Sequence, residues 1–254
     1  MKSYEILRDE ALLSLRTFMD SLPEKKGSIL AYWIKDYVRF LKKESTFDPQ
    51  KLVRYKRGSI VKVHLGYRVG SEEGGLHYAI VLDTNNEKKS SAVTVIPLTS
   101  IKETTDLTKL HRSRLPLGNE LFMLLHTRLL EEIKLAEQLA EKIEEQRKAA
   151  ETKPVDPNAA DAQAAAAAQR IVAAAMQKEK NDLQEKITYC RNMLREVQKM
   201  KTGSIALIGQ ITTVSKIRIY DPLFPGDALS NIRFSDETMD KIDNKVRELF
   251  TKQS

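Results

Sequence analysis

Gly74-Gly75-Leu76-His77 stands directly before an apolar run, Tyr78 to Leu82, and the two acids Glu72 and Glu73 stand directly before it. A glycine pair lets backbone pass close to a ligand, and a histidine at the start of a strand lies at the mouth of its sheet. Imidazole can give or take a proton near neutral pH. Thr99 ends the next β-rich run, Ala92 to Leu98, and its hydroxyl could reach the same mouth. The chemistry available to such a set is proton transfer by His77 with hydrogen bonding by Thr99. The bland alternatives stay open: His77 can be a histidine satisfied by the turn backbone, and Thr99 an ordinary strand-end residue.

Other chemistries lack their residues. The four histidines, His64, His77, His111 and His126, include no i, i+4 pair, and Cys190 is the only cysteine, so no structural zinc set is spelled out. Neither G-x-x-x-x-G-K-[ST] nor G-x-G-x-x-G occurs, and no G-x-S-x-G elbow is present. A single cysteine also rules out an internal disulfide and fits a reducing cytoplasm. The net charge of +7 spread over 42 basic and 35 acidic residues tilts the surface toward polyanions. No helix-turn-helix or basic-region signature supports a DNA-binding regulator. No run of about 18 apolar residues suggests a membrane span, and the charged start MKSYEILRDE lacks the centre of a signal peptide.

The elements that must position these residues follow from periodicity. Residues 1–50 read as a helical extension: Leu7, Leu12, Leu15 and Phe18 define one helical face, and Ile29, Trp33, Tyr37 and Leu41 a second, with a turn at Pro23 and a break at Asp48-Pro49. Val61, Val63 and Leu65 alternate with polar residues, as a half-buried strand does. Tyr78 to Leu82, Ala92 to Leu98, Ile205 to Ile208 and Ile217 to Tyr220 read as further strands. Between them, residues 119–201 carry heptad-like rows: Leu129, Ile133, Ala136, Ala140 and Ile143, then Leu183, Ile187, Cys190, Leu194 and Val197. The prolines at 154 and 157 break this stretch into two arms of an antiparallel coiled-coil hairpin, each roughly 45 Å long. The alanine tract 164–168 promises only a thin seam. Ser235 with Asp236 and Glu237 caps a final helix with the face Met239, Ile242, Val246 and Leu249. The expected architecture is α+β: a small β-barrel domain from residues 53–118 and 202–254, interrupted by the coiled-coil hairpin.

Four segments in order resemble the PemK/MazF toxins of type II toxin-antitoxin systems. They are Arg57-Gly58-Ser59-Ile60-Val61-Lys62-Val63; the loop Gly70-Ser71-Glu72-Glu73-Gly74-Gly75 with the strand after it; Val95-Ile96-Pro97-Leu98-Thr99-Ser100; and Gln210 to Ile219 followed by Asp240 to Val246. The resemblance covers about 53–105 and 202–252, leaving the N-terminal helices and the hairpin outside it. It implies an SH3-like barrel, usually a homodimer, and a metal-independent endoribonuclease. Such an enzyme cuts single-stranded RNA by attack of the 2′-hydroxyl on the adjacent phosphate, leaving a cyclic phosphate, and needs no cofactor. It is held in check by an antitoxin. Residue by residue, the resemblance assigns catalysis to His77 and Thr99. RNA binding falls to Arg57, Ser71, Glu72, Gln210 and Thr213, while Arg218 supports the fold or a dimer surface. Two departures stand out: the family usually has arginine at the positions of His77 and Thr212. The competing reading is a non-catalytic binding module that uses the coiled coil as its interaction arm. That arm can bind a partner, such as the antitoxin or the ribosome, or mediate self-association.

Overall fold

The computed structural model describes residues 3–151, 162–201 and 203–252. Two helices lead, α1 (Tyr4–Ser21) and α2 (Glu24–Glu44), followed by strands β1 (Ile60–His64), β2 (Leu76–Val81), β3 (Ala92–Ser100) and β4 (Arg114–Gly118). The long helices α3 (Glu120–Glu151) and α4 (Ala162–Lys199) come next, then β5 (Ser204–Leu207), β6 (Thr212–Ser215), β7 (Ile219–Asp221) and α5 (Asp236–Phe250). The prolines at 154 and 157, read above as the hairpin break, lie outside the described residues. None of the described helices is long and apolar enough to cross a membrane.

All strand pairings are antiparallel, in the order β4-β5-β3-β2-β1-β7 with β6 also on β3, so the chain is α+β. The sheet does not close on itself: β6 and β7 are joined by a 3-10 turn at Lys216–Arg218, not by a ladder. Alternation along the strands splits the apolar residues between two cores. Val61, Val63, Ala79, Val81, Val93 and Val95 face one, closed by Leu52, Tyr55 and Ile219. Ile60, Ile80, Ile96 and Leu98 face the other. There the covering residues come from the root of the helical hairpin, Leu125, Leu129, Met193 and Val197, and from α5, Met239 and Ile242. Lys62 of β1 and Tyr78 of β2 both reach the Glu196 carboxylate of α4, so an ion pair and a phenol bolt the hairpin to the sheet. Burial opposes the charge on Glu196, yet these two partners hold it below its ordinary range.

Several sequence expectations change. α1 buries none of its residues, and Leu7, Leu12 and Phe18 are exposed. In α2 the packed residues are Leu30 and Phe40 with Trp33, rather than Ile29, Tyr37 and Leu41, because Trp33 stacks on His64 at 4.6 Å and Phe40 meets Tyr220 edge-on. In the hairpin, Leu129 and Val197 are core, but Ile133, Ile187 and Leu194 face outward. A buried carboxylate takes a seam position instead: Glu132, 5% exposed, accepts from Lys186 (2.7 Å) and pairs with Arg128 (2.6 Å). Apolar periodicity is blind to such a layer, since an ion pair fills the space an aliphatic pair would. Strands β4 and β6 were not anticipated: Arg114–Gly118 carries a proline at a sheet edge, and Thr212–Ser215 is polar though β-branched. Of the expected strand 217–220, Ile217 and Arg218 belong to the 3-10 turn and β7 begins at Ile219.

Asp221 of β7 accepts from the Leu229 N–H (2.9 Å), and burial pushes its carboxyl up from 3.8 to about 6. The folded state thus holds this proton more tightly than the unfolded chain. Its stabilising contribution is complete below the ordinary value of 3.8 and is lost as pH rises through about 6. Asp221→Asn keeps an acceptor for Leu229 and removes the ionisation. Its melting temperature, followed by circular dichroism, should exceed the parent's at pH 8 and converge on it near pH 4. A difference independent of pH would contradict this.

Candidate functional site

The loop between β1 and β2 is closed at its base by two hydrogen bonds, Leu65 N–H to Gly75 O (2.7 Å) and Gly75 N–H to Gly66 O (2.8 Å). The glycine pair is needed for two different reasons. A Cβ on Gly74 would fall 2.8 Å from Gly66 O and against the Arg68 stem, while Gly75 adopts φ +84°, where other residues are strained. Gln210, in the 3-10 turn after β5, pins the loop from outside. Its Oε1 accepts from Glu73 N–H and its Nε2 donates to Ser71 O, both at 3.2 Å. The side-chain amide mimics a strand edge, and Gln210 thereby holds the loop.

His77 sits in the second position of β2, half-buried, with both ring nitrogens engaged. Nδ1 lies 3.2 Å from Leu98 O and Nε2 lies 3.1 Å from a Glu73 carboxylate oxygen. Both partners can only accept, so the doubly protonated ring satisfies both and a neutral ring satisfies one. The β2–β3 ladder ends at Ala79↔Pro97, and beyond it the contact of His77 Nδ1 with Leu98 O brings the ring beside the residue that precedes Thr99. Thr99 is half-buried and pairs in register with Ile205 of β5. His77, Thr99, Ser71, Glu72 and Gln210 thus gather around one loop and one strand end.

Arg57 does not join them. Its guanidinium donates to Leu82 O and pairs with Asp243 of α5, at the opposite end of β2 and roughly 16 Å along the strand from His77 at ~3.3 Å per residue. The arginine expected to contact phosphate is occupied in joining β2 to α5. Thr213 is elsewhere too. It pairs with Thr94, hydroxyl to hydroxyl at 3.1 Å, and lines a polar cleft with Asp83 and Asn86. Its neighbour Thr212 points to the other face, as alternation requires.

That neighbour marks residues the motif reading passed over. Arg68 leaves the loop with its Nε donating to Leu65 O (2.9 Å) and one terminal nitrogen 3.5 Å from Thr212 Oγ1. Its nearest carboxylate, Glu72, stands 3.7 Å away, and the side chain is 30% exposed. Arg218 donates to His64 O (2.8 Å) and lies over Trp33. Burial, with the Arg68 charge adding to it, pulls Arg218 below its ordinary value. Two guanidiniums that repel each other beside a half-open loop favour an anion between or beside them. Burial pulls the His64 imidazole below its ordinary value against the pull of Asp36, with Arg218 and Arg39 adding to the lowering. Glu73 lies within the glycine-acid loop and Arg68 two residues before it, so weighing every charged residue in and beside the loop would have given both a role. Among the described residues, no group of three or more His, Cys, Asp or Glu is arranged to hold a metal ion.

Residues 56–148 match the family model of the PemK-like, MazF-like toxin of type II toxin-antitoxin systems. The match opens one residue before Arg57, takes in β1 to β4 and runs along most of α3, so it includes the first arm of the hairpin. Residues 202–252 lie outside it. No curated protein matches the chain.

The Gln210 clamp predicts a local effect. In Gln210→Ala, amide hydrogen exchange of residues 71–75 should accelerate at least about tenfold, as expected from losing two hydrogen bonds worth about 1 kcal/mol each. Exchange in β2 and β3 should be unchanged. Equal protection of the loop in both proteins would show that Gln210 does not hold it.

Proposed function

With a PemK-like, MazF-like toxin domain over residues 56–148 as premise, we propose that this protein is the toxin of a toxin-antitoxin pair and an endoribonuclease acting on single-stranded RNA. The observation that supports the reading is the contact of His77 with Leu98 O, one residue before Thr99, under a loop carrying Glu72, Glu73 and Arg68. The barrel of this reading is SH3-like, with its seam between β6 and β7 spanned by the 216–218 turn. The helices α1 and α2 precede it and the α3–α4 hairpin is inserted into it. An antitoxin is the protein partner, and a homodimer the working assembly.

Chemistry follows from the contacts. With Nδ1–H donated to Leu98 O, the His77 ring keeps Nε2 as its basic nitrogen once RNA displaces Glu73 from it. Nε2 takes the proton of the 2′-hydroxyl, the 2′-oxygen bonds to phosphorus, and the P–O5′ bond breaks. The same proton then passes from Nε2 to the departing 5′-oxygen, giving a 2′,3′-cyclic phosphate and a 5′-hydroxyl. Glu73, moved off Nε2 but still beside the ring, stabilises the imidazolium in between by its charge alone. Thr99 donates to a non-bridging phosphate oxygen, and Arg68 supplies the permanent positive charge that histidine at position 77 does not. Ser71 and Glu72 line the groove.

A non-catalytic binding module is the second reading, favoured by the occupation of both His77 nitrogens in the ligand-free protein. Cleavage of a single-stranded RNA oligomer in EDTA separates the two. The parent should release a cyclic phosphate, and His77→Ala and Thr99→Ala should each lose roughly 10²–10⁴ of the rate, the range for general acid–base chemistry. Arg68→Ala should weaken RNA binding and lower its salt dependence by about one ion. Absence of cleavage by the parent, with RNA binding retained, would leave the binding module as the function.

A further inference from the structure

α1 is an 18-residue helix with no buried residue. Helices of this length draw most of their stability from packing an apolar face. Leu12, Leu15 and Met19 of α1 line a groove with Ala31 and Ile34 of α2, and no described residue fills it. The groove continues along α2, where Ala31, Ile34 and Val38, spaced three and four apart, form its floor. Along that stretch the rim is cationic: Lys35, Lys42 and Lys43. Arg39 beside them is already paired with Asp36 (3.1 Å), whereas these three lysines form no ion pair among the described residues. From Ala31 to Lys43 the floor and rim extend roughly 18 Å at 1.5 Å per residue, about three helical turns.

We propose that this groove is a docking site for an acidic amphipathic helix of a partner protein. Such a helix sets its apolar stripe on Ile34, Val38 and Leu15 and its glutamates against the three lysines, which is helix-in-groove recognition completing a three-helix layer. Charge complementarity selects this occupant. A second copy of the chain would bring the same lysines against each other, and RNA would meet an apolar floor that offers its phosphates no partner. The groove is lined by residues of α1 and α2 and by none of the His77 loop, so the proposal stands independently of the ribonuclease reading.

The test uses the full chain and a fluorescent 20-residue peptide carrying leucines at i, i+3, i+7 and i+10 and glutamates at most other positions. Two controls accompany it: a scrambled peptide of the same composition, and a version with lysine for every glutamate. Anisotropy should show saturable binding of the acidic amphipathic peptide at least tenfold tighter than either control, weakening as salt is raised. The triple variant Lys35→Glu, Lys42→Glu, Lys43→Glu, and separately Ile34→Glu, should each lose at least tenfold in affinity. The three lysines are exposed and Ile34 is partly buried, so an unchanged circular dichroism spectrum and melting temperature of each variant would confirm the fold. No saturable binding, equal binding of the scrambled peptide, or indifference to both variants would overturn the proposal. So would a dimer in sedimentation that Ile34→Glu converts to monomer, or displacement of the peptide by single-stranded RNA at equal concentration.

Discussion

Strand β3 is the constraint on which the molecule depends. Its first part pairs with β6, its middle with β2 and its end with β5, so three ladders share one strand. Because side chains alternate, Val93 and Val95 serve one core while Ile96 and Leu98 serve the other. Residues Val95 to Leu98 are buried without a break. A strand committed on both edges and both faces cannot slip in register without moving every apolar residue to the wrong side. Thr99 inherits its position from that fixity, and His77 inherits its own through the β2 ladder.

The second core shows why the helical hairpin is not an appendage. A sheet buried on both faces needs two covers, and the root of α3 and α4 provides most of the second with Leu125, Leu129, Met193 and Val197. The bond from Lys62 and Tyr78 to Glu196 closes that contact. Extension of the toxin-family match through most of α3 accords with this, since the first arm is part of the domain's own core. Farther out, the hairpin trades apolar layers for the Glu132–Lys186–Arg128 set, which fixes how the two arms meet.

At the site, two kinds of arginine divide the labour. Arg57 and Arg218 are consumed by structure, one joining the end of β2 to α5, the other tying the 216–218 turn to the end of β1. Arg68 is held only by a carbonyl, a distant hydroxyl and a loose carboxylate, and so keeps charge to spare. Position along the chain does not separate these roles; the partners do. The same holds for Gln210 and Thr213, three residues apart, of which one clamps the loop and the other faces a different cleft.

What the sequence determined by itself was local and periodic. Alternation marked β1, apolar and β-branched runs marked β2 and β3, heptad-like rows marked the two long arms, Ser235 marked the start of α5, and the glycine-acid loop with His77 and Thr99 marked a candidate site. These are properties of a few neighbouring residues, set by sterics, capping and hydrophobic period. Tertiary structure alone decided which helix faces are buried, because docking on Tyr220 and His64 turned α2 away from its apparent stripe. It alone made strands of Arg114–Gly118 and Thr212–Ser215, whose pairing partners lie far off in the chain. It also brought Glu73 against His77 and paired Arg57 with Asp243 of α5, since a charge's partners depend on what the fold brings near it, and no spacing rule encodes that.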